Sequence, residues 1–126
     1  MKKIIQTNSA PQAVGAYSQG VEINGTYFFS GQIGLDPKTM ELANGFDNQL
    51  NQVLKNIEAL LNHCHLKKED ILKTTIFMTD LSLFPKVNQA YEEFFSKPFP
   101  ARSTVEVKGL PKGALVEIEV IAFKNH

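Results

Sequence analysis

The stretch PFPARSTVEV, residues 98–107, sets one arginine between a two-proline entry and an alternating run that reads as a strand. In such a strand Arg102, Thr104 and Glu106 share one face, and Ser103, Val105 and Val107 share the other. A guanidinium fixed near the start of a rigid element suits a carboxylate, because its planar fork makes two parallel charge-assisted hydrogen bonds that an ammonium cannot. The plainer reading of the same spacing is a cross-strand partner for Glu106 or another exposed acid. Glu117 is the second reactive candidate. Its neighbours on one side of the run LVEIEVIAF are Leu115, Ile121 and Phe123, which withdraw the carboxylate from water. Burial disfavours the charged form and raises the pKa, moving the group toward use as a general base near neutrality. Glu119 has the same periodicity, and an edge carboxylate in water is the ordinary reading of either.

His63-Cys64-His65 forms a metal cluster only along the sequence. On a helix the two imidazoles point about 200° apart, which opposes tetrahedral ligation within one chain. Cys64 falls on an apolar stripe, where a thiol is packing rather than a nucleophile. As the sole cysteine it can form no intrachain disulfide.

These side chains need elements to hold them. Asn24-Gly25, between the strand-like runs VEI and TYFFS, predicts a hairpin, since both residues tolerate positive φ. Gly34 to Gly45 reads as a loop. From Phe46 to Cys64, apolar residues recur every three or four positions and fill a stripe about 120° wide, an amphipathic helix with one buried face. Lys73 to Met78 alternates as a strand. A second helix follows, with Ser82 as N-cap, Pro85 in the first turn, and Phe84, Val87, Tyr91, Phe94 and Phe95 on one face. Pro98 and Pro100 lie beyond its end. Strands at about 102–108 and 114–123 are joined by Gly109-Leu110-Pro111-Lys112-Gly113.

This order predicts one α+β domain over residues 1–126, with two helices on one face of a mixed sheet. The final strand is nevertheless apolar on both sides: Ala114, Val116, Ile118, Val120 and Ala122 point one way, and Leu115, Ile121 and Phe123 the other. Two helices cannot cover both, so the second face predicts self-association.

Composition bounds the partners. Thirteen basic residues balance thirteen acidic ones in 126, and 43% of residues are hydrophobic. That balance gives no field to draw nucleic acid or an anionic membrane. The N-terminus, MKKIIQTNSAP, has no signal-peptide core or membrane span, so a cytoplasmic location is expected.

Four segments carry a family resemblance: GAYSQG at 15–20, FFSGQIGLDP at 28–37, VNQAYEEFF at 87–95, and FPARSTVEVKGLP followed by VEIEVIA. Together they resemble the RidA (YjgF) family of reactive-intermediate deaminases over nearly the whole chain, with Pro100 to Glu119 the most specific block. The resemblance implies a chorismate-mutase-like fold and a homotrimer with active sites in clefts between subunits. It implies hydrolysis of 2-imino acids such as 2-iminobutanoate and 2-iminopropanoate, released by pyridoxal-phosphate enzymes, to 2-keto acids and ammonia, without metal or organic cofactor. Arg102 would hold the substrate carboxylate with help from the Thr104 backbone N–H, and Glu117 would orient and activate water. Tyr17, Ser30, Gly31 and Asn88 would line the cleft. Each also has an ordinary reading: Tyr17 a packing aromatic, Ser30 a strand-end cap, Asn88 a helix-surface amide.

Two positions depart from the family pattern: Ala16, where many members have proline, and Thr104, where many have cysteine. The first loosens the chain before Tyr17, and the second removes any role for a thiol. Two rival functions remain open at this level. One is a non-catalytic module that clamps a small carboxylate for a regulatory or chaperone-like role. The other is endoribonuclease or translation-inhibitor activity, against which the balanced charge and missing aromatic platform weigh.

Overall fold

The computed structural model describes residues 1–126. Its frame is a six-stranded sheet in the order β1-β2-β3-β6-β4-β5, where β1 is Lys3–Ile5, β2 Gly20–Ile23, β3 Thr26–Phe29, β4 Ile71–Met78, β5 Ala101–Glu106 and β6 Val116–Phe123. β4 and β5 run parallel and all other neighbours antiparallel, so the sheet is mixed as expected. Helices α1 (Phe46–His63) and α2 (Phe84–Phe94) supply the second layer.

The alternation of β6 decides which side carries the core. Val116, Ile118, Val120 and Ala122 are all at most 2% exposed and join Ile76 and Met78 of β4 beneath the helices. Each valine, isoleucine or methionine among them contributes roughly 1.5–3 kcal/mol by leaving water. From α1, Leu50, Val53, Ile57, Leu60 and Leu61 fill the same core at the three- and four-residue spacing read from the sequence. Val87, Tyr91 and Phe95 come from α2 and the residue that ends it.

The other face is bare. Register places Ile4, Val21, Phe28, Ile121, Phe77 and Val105 on it, and Ile4, Phe28 and Val105 are exposed.

Two buried amides of α1 tie the helix to irregular backbone, one to the segment after β3 and one to the residue before β6. Asn56 Nδ2 donates to the Leu35 carbonyl at 2.9 Å, and Gln49 Oε1 accepts from the Leu115 N–H at 2.8 Å. They satisfy backbone groups that would otherwise be buried without partners.

Several boundaries differ from the sequence reading. Ser82 does not cap α2: Asp80 Oδ1 accepts from the Ser82 N–H at 2.9 Å, starting a 3-10 turn over Leu81–Leu83 that leads into α2 at Phe84. A carboxylate two residues upstream is the stronger acceptor for that orphan N–H, and Pro85 sits in the first turn as expected. α1 stops one residue early, with Cys64 as its C-cap and His65 at φ 57°. The last two strands are shorter than the alternation suggested, because Val107 and Ala114 lie outside the ladders. β1 went unseen, since three residues carry too little pattern to register.

Candidate active site

Glu117 stands on the bare face of β6, opposite Phe77 of β4, half-buried. Burial pushes its carboxyl above the usual carboxylate range, and the nearby charge of Glu119 adds to the shift. Its side chain lies across Gly31. A Cβ at Gly31 would overlap the Glu117 Oε2, so only a bare backbone lets the carboxylate settle there. Gly31 follows the end of β3, and the next residue, Gln32, exchanges two backbone bonds with Ile118 at 2.9 and 3.1 Å, which holds this crossing in place.

Ser30 is fixed on both sides. Its N–H donates to the Gln19 carbonyl at 2.9 Å and its Oγ donates to the Ser18 carbonyl at 2.6 Å, leaving oxygen lone pairs as acceptors. Tyr17 is 54% exposed, its hydroxyl accepting from the Val14 N–H at 3.4 Å. All four residues line one cavity of about 490 Å³ that extends past Val14, Ile33 and Met40 and is flanked by Pro111 and Lys112.

The rim of that cavity depends on Gln19, which the sequence reading passed over. Gln19 is 2% exposed. Its Nε2 donates to the carbonyls of Thr7 and Pro11 at 2.9 and 2.8 Å, and its Oε1 accepts from the Thr7 N–H at 2.7 Å. One side chain thus stitches residues 7–11 to the start of β2. A glutamine beside a strand start carries no sequence signal for this, because its partners are backbone groups eight to twelve residues away.

Arg102 lies elsewhere. It is exposed on the edge strand β5, where Nη1 donates to Asn88 Oδ1 at 3.1 Å. The guanidinium carbon sits 4.8 Å from the centroid of the Phe84 ring and 5.5 Å from that of Tyr91, both from α2. A neutral amide and two ring faces hold the fork without neutralising its charge. Burial pushes the Tyr91 phenol up to about 12, an effect partly offset by the Thr74 hydroxyl and the Arg102 charge. The acid partner that the plainer reading required is otherwise engaged, since Glu106 Oε1 accepts from the Leu81 N–H at 2.9 Å. Arg102 and Asn88 line a second cleft of about 310 Å³ with Tyr91, Glu92, Phe99 and Pro100. Thr104, half-buried, lies two residues on and faces the same way.

The seven sequence-predicted residues therefore fall into two groups. Tyr17, Ser30, Gly31 and Glu117 form one, Asn88, Arg102 and Thr104 the other. Cross-strand register sets them on opposite sides: Arg102 aligns with Thr74 and Val120 on the helix-covered side, Glu117 with Phe77 and Val105 on the bare side. Within one chain the fork and the carboxylate cannot grip the same small molecule. Cys64 belongs to neither group; burial pushes its thiol up to about 11, which leaves it unreactive near neutral pH.

The family model described as Endoribonuclease L-PSP matches residues 7–124. A 2-iminobutanoate/2-iminopropanoate deaminase from Salmonella typhimurium is 46% identical over 128 aligned positions, covering 99% of this chain and 100% of its own. A RutC family protein from Aquifex aeolicus is 49% identical over 122, covering 95% and 98%. The crystal structure of RidA from an Antarctic Psychrobacter is 45% identical and superimposes with a TM-score of 0.94, covering 97% of this chain and 99% of that one. With a family model matched almost end to end, such relatives and the same mixed sheet with two helices, the chain belongs to the RidA (YjgF) family.

Proposed function

We propose that this protein hydrolyses 2-imino acids, such as 2-iminobutanoate and 2-iminopropanoate, to 2-keto acids and ammonia. The observation that carries the reading is the desolvated Glu117 carboxylate laid over bare backbone in a cavity, matched by a guanidinium held only by uncharged groups. In this reading Arg102 takes the substrate carboxylate through its fork, and the Thr104 backbone N–H assists. Glu117 accepts a proton from water as the oxygen bonds to the imine carbon, and the C=N pair moves to nitrogen, which takes that proton back from Glu117. Collapse of the resulting carbinolamine breaks the C–N bond, forms the keto group and releases ammonia. Tyr17, Ser30, Gly31 and Asn88 line the site. Imines are electrophilic enough that fixed placement and one base suffice, so the mechanism calls on no metal or organic cofactor.

The separation of the two groups means that each site needs two copies of the chain, one giving Arg102 and the other Glu117. The bare apolar face of the sheet supplies the reason for copies to associate, and the family resemblance sets their number at three. The substrates are small cytoplasmic metabolites in this scheme, and the zero formal net charge at neutral pH disfavours a nucleic-acid partner.

The test generates an imino acid enzymatically with semicarbazide present to trap whatever remains. Wild-type protein should reduce trapping. Arg102→Ala and Glu117→Gln should each fail, yet random mixing of the two after dissociation and reassociation should restore roughly a quarter of the activity, the fraction of clefts drawing one intact half from each parent. Absence of recovery from well-mixed oligomers would place both halves in one chain and sink the shared site. RNA cleavage measured in parallel that depends on Arg102 would favour the function named in the family description.

A further inference from the structure

Four residues other than glycine have positive φ: Asn24, Met40, His65 and Lys112. Asn24 occupies the hairpin turn and His65 follows the end of α1, places where that conformation is common. Met40 and Lys112 have no such preference, and both line the Glu117 cavity. Met40, at φ 60°, closes a tight loop in which its N–H donates to the Asp36 carbonyl at 2.7 Å. Glycine adopts that backbone freely, whereas methionine adopts it against a steric cost. The loop thus holds a long, flexible, apolar side chain at a strained position, half-buried in the wall of the cavity.

The cavity is also larger than a three-carbon imino acid requires. About 490 Å³ lies in the range that encloses drug-sized ligands. Beside Glu117 the cavity is lined by the apolar Val14, Ile33, Leu35 and Met40 together with the polar Gln12, Gln32 and Lys112. Its four apolar side chains reward added methylenes. Thioether carbons and sulfur are polarizable and have adaptable rotamers, so Met40 can fold against chains of differing length.

The geometry points to Met40 as the specificity-determining residue of a side-chain subsite that favours 2-imino acids with long, unbranched apolar side chains over 2-iminopropanoate. This rests on the deaminase reading for its chemistry, but the subsite can be tested without turnover.

The experiment compares imino acids made by an amino-acid oxidase from alanine, 2-aminobutanoate and norleucine, and in parallel measures calorimetric binding of the corresponding 2-keto acids. Each methylene reaching the subsite should raise kcat/KM about threefold to fourfold, so the norleucine-derived imine should exceed the alanine-derived one by roughly 30-fold to 60-fold. Met40→Gly fits the backbone, so the fold should survive, and the preference should shrink below about fivefold. Met40→Leu should retain most of it. A flat series in wild type, or an undiminished series in Met40→Gly, overturns the subsite. If no imine is turned over, the deaminase reading falls by itself, and the keto acids then decide: tighter binding of 2-ketohexanoate than pyruvate, lost in Met40→Gly, upholds the subsite, and length-independent binding ends it.

Discussion

The two sides of the sheet treat charge in opposite ways. On the helix-covered side Arg102 stays exposed at the edge, and its neighbours Asn88, Phe84 and Tyr91 fix its direction without cancelling its charge. On the bare side Glu117 is half-buried beside a second carboxylate, Glu119, and burial pushes it toward the protonated form. A binding cation gains from access to solvent and from a rigid fork, whereas a base gains from losing water. One chain builds both environments by giving each its own face of the sheet, and in the proposed reading a second copy brings them together.

The largest effect should come from removing either half. Arg102→Ala should lower kcat/KM by about two to three orders of magnitude, the loss of a charge-assisted, two-point clamp, with oligomer mass unchanged. Dissociation of that variant, seen by light scattering, would make the arginine a structural residue. Glu117→Gln should lower kcat about 10²-fold to 10⁴-fold while carboxylate binding persists, and survival of turnover would erase the contrast between clamp and base.

How far this contrast was readable in the sequence depends on which physical pattern carried it. Alternation put Val116, Ile118, Val120 and Ala122 on one side of the final strand and grouped Arg102 with Thr104, because a strand's period of two is local. It could not say which face of β5 meets the helices. That follows from pairing with Thr74 across a parallel ladder, a contact between segments nearly thirty residues apart. Gln19, Gln49 and Asn56 were equally silent, since buried amides are specified by backbone groups that tertiary structure delivers. The family resemblance carried the candidate residues, but not their division between two faces.

The next effect concerns the bare face itself. Phe28→Asp puts a charge between Val21 and Ile121, its two apolar cross-strand neighbours. Association should weaken by about tenfold or more, and activity should fall in step with mass at low protein concentration. Activity retained by a monomer would show that one chain suffices.

A smaller effect follows from the raised carboxyl. The folded protein keeps the Glu117 proton to higher pH than the unfolded chain does, so this group's stabilising contribution is present below the ordinary carboxylate range and is lost as pH rises through the raised value. Glu117→Gln removes that titration. Its melting temperature relative to wild type should therefore improve as pH rises out of the ordinary carboxylate range, opposite to what loss of a salt bridge would give. The acid limb of the wild-type rate profile should also lie above the usual glutamate range, because the base must be ionised to work. A limb at the ordinary value would mean that the carboxylate is solvated in the working site.

The smallest expected effect tests how the clamp is aimed. Phe84 presents its ring face 4.8 Å from the Arg102 guanidinium carbon and is itself only partly buried against the core. An exposed cation–π contact contributes about 0.5–1 kcal/mol, so Phe84→Leu, which keeps an apolar side chain but removes the ring, should raise KM about twofold to fivefold with little change in kcat. Tyr91 and Asn88 still hold the fork, which is why the loss stays small. If Phe84→Leu instead lowers kcat as much as Arg102→Ala does, the ring belongs to the reacting site rather than to its support. The contrast between a propped cation and a desolvated base would then have to be redrawn around three groups.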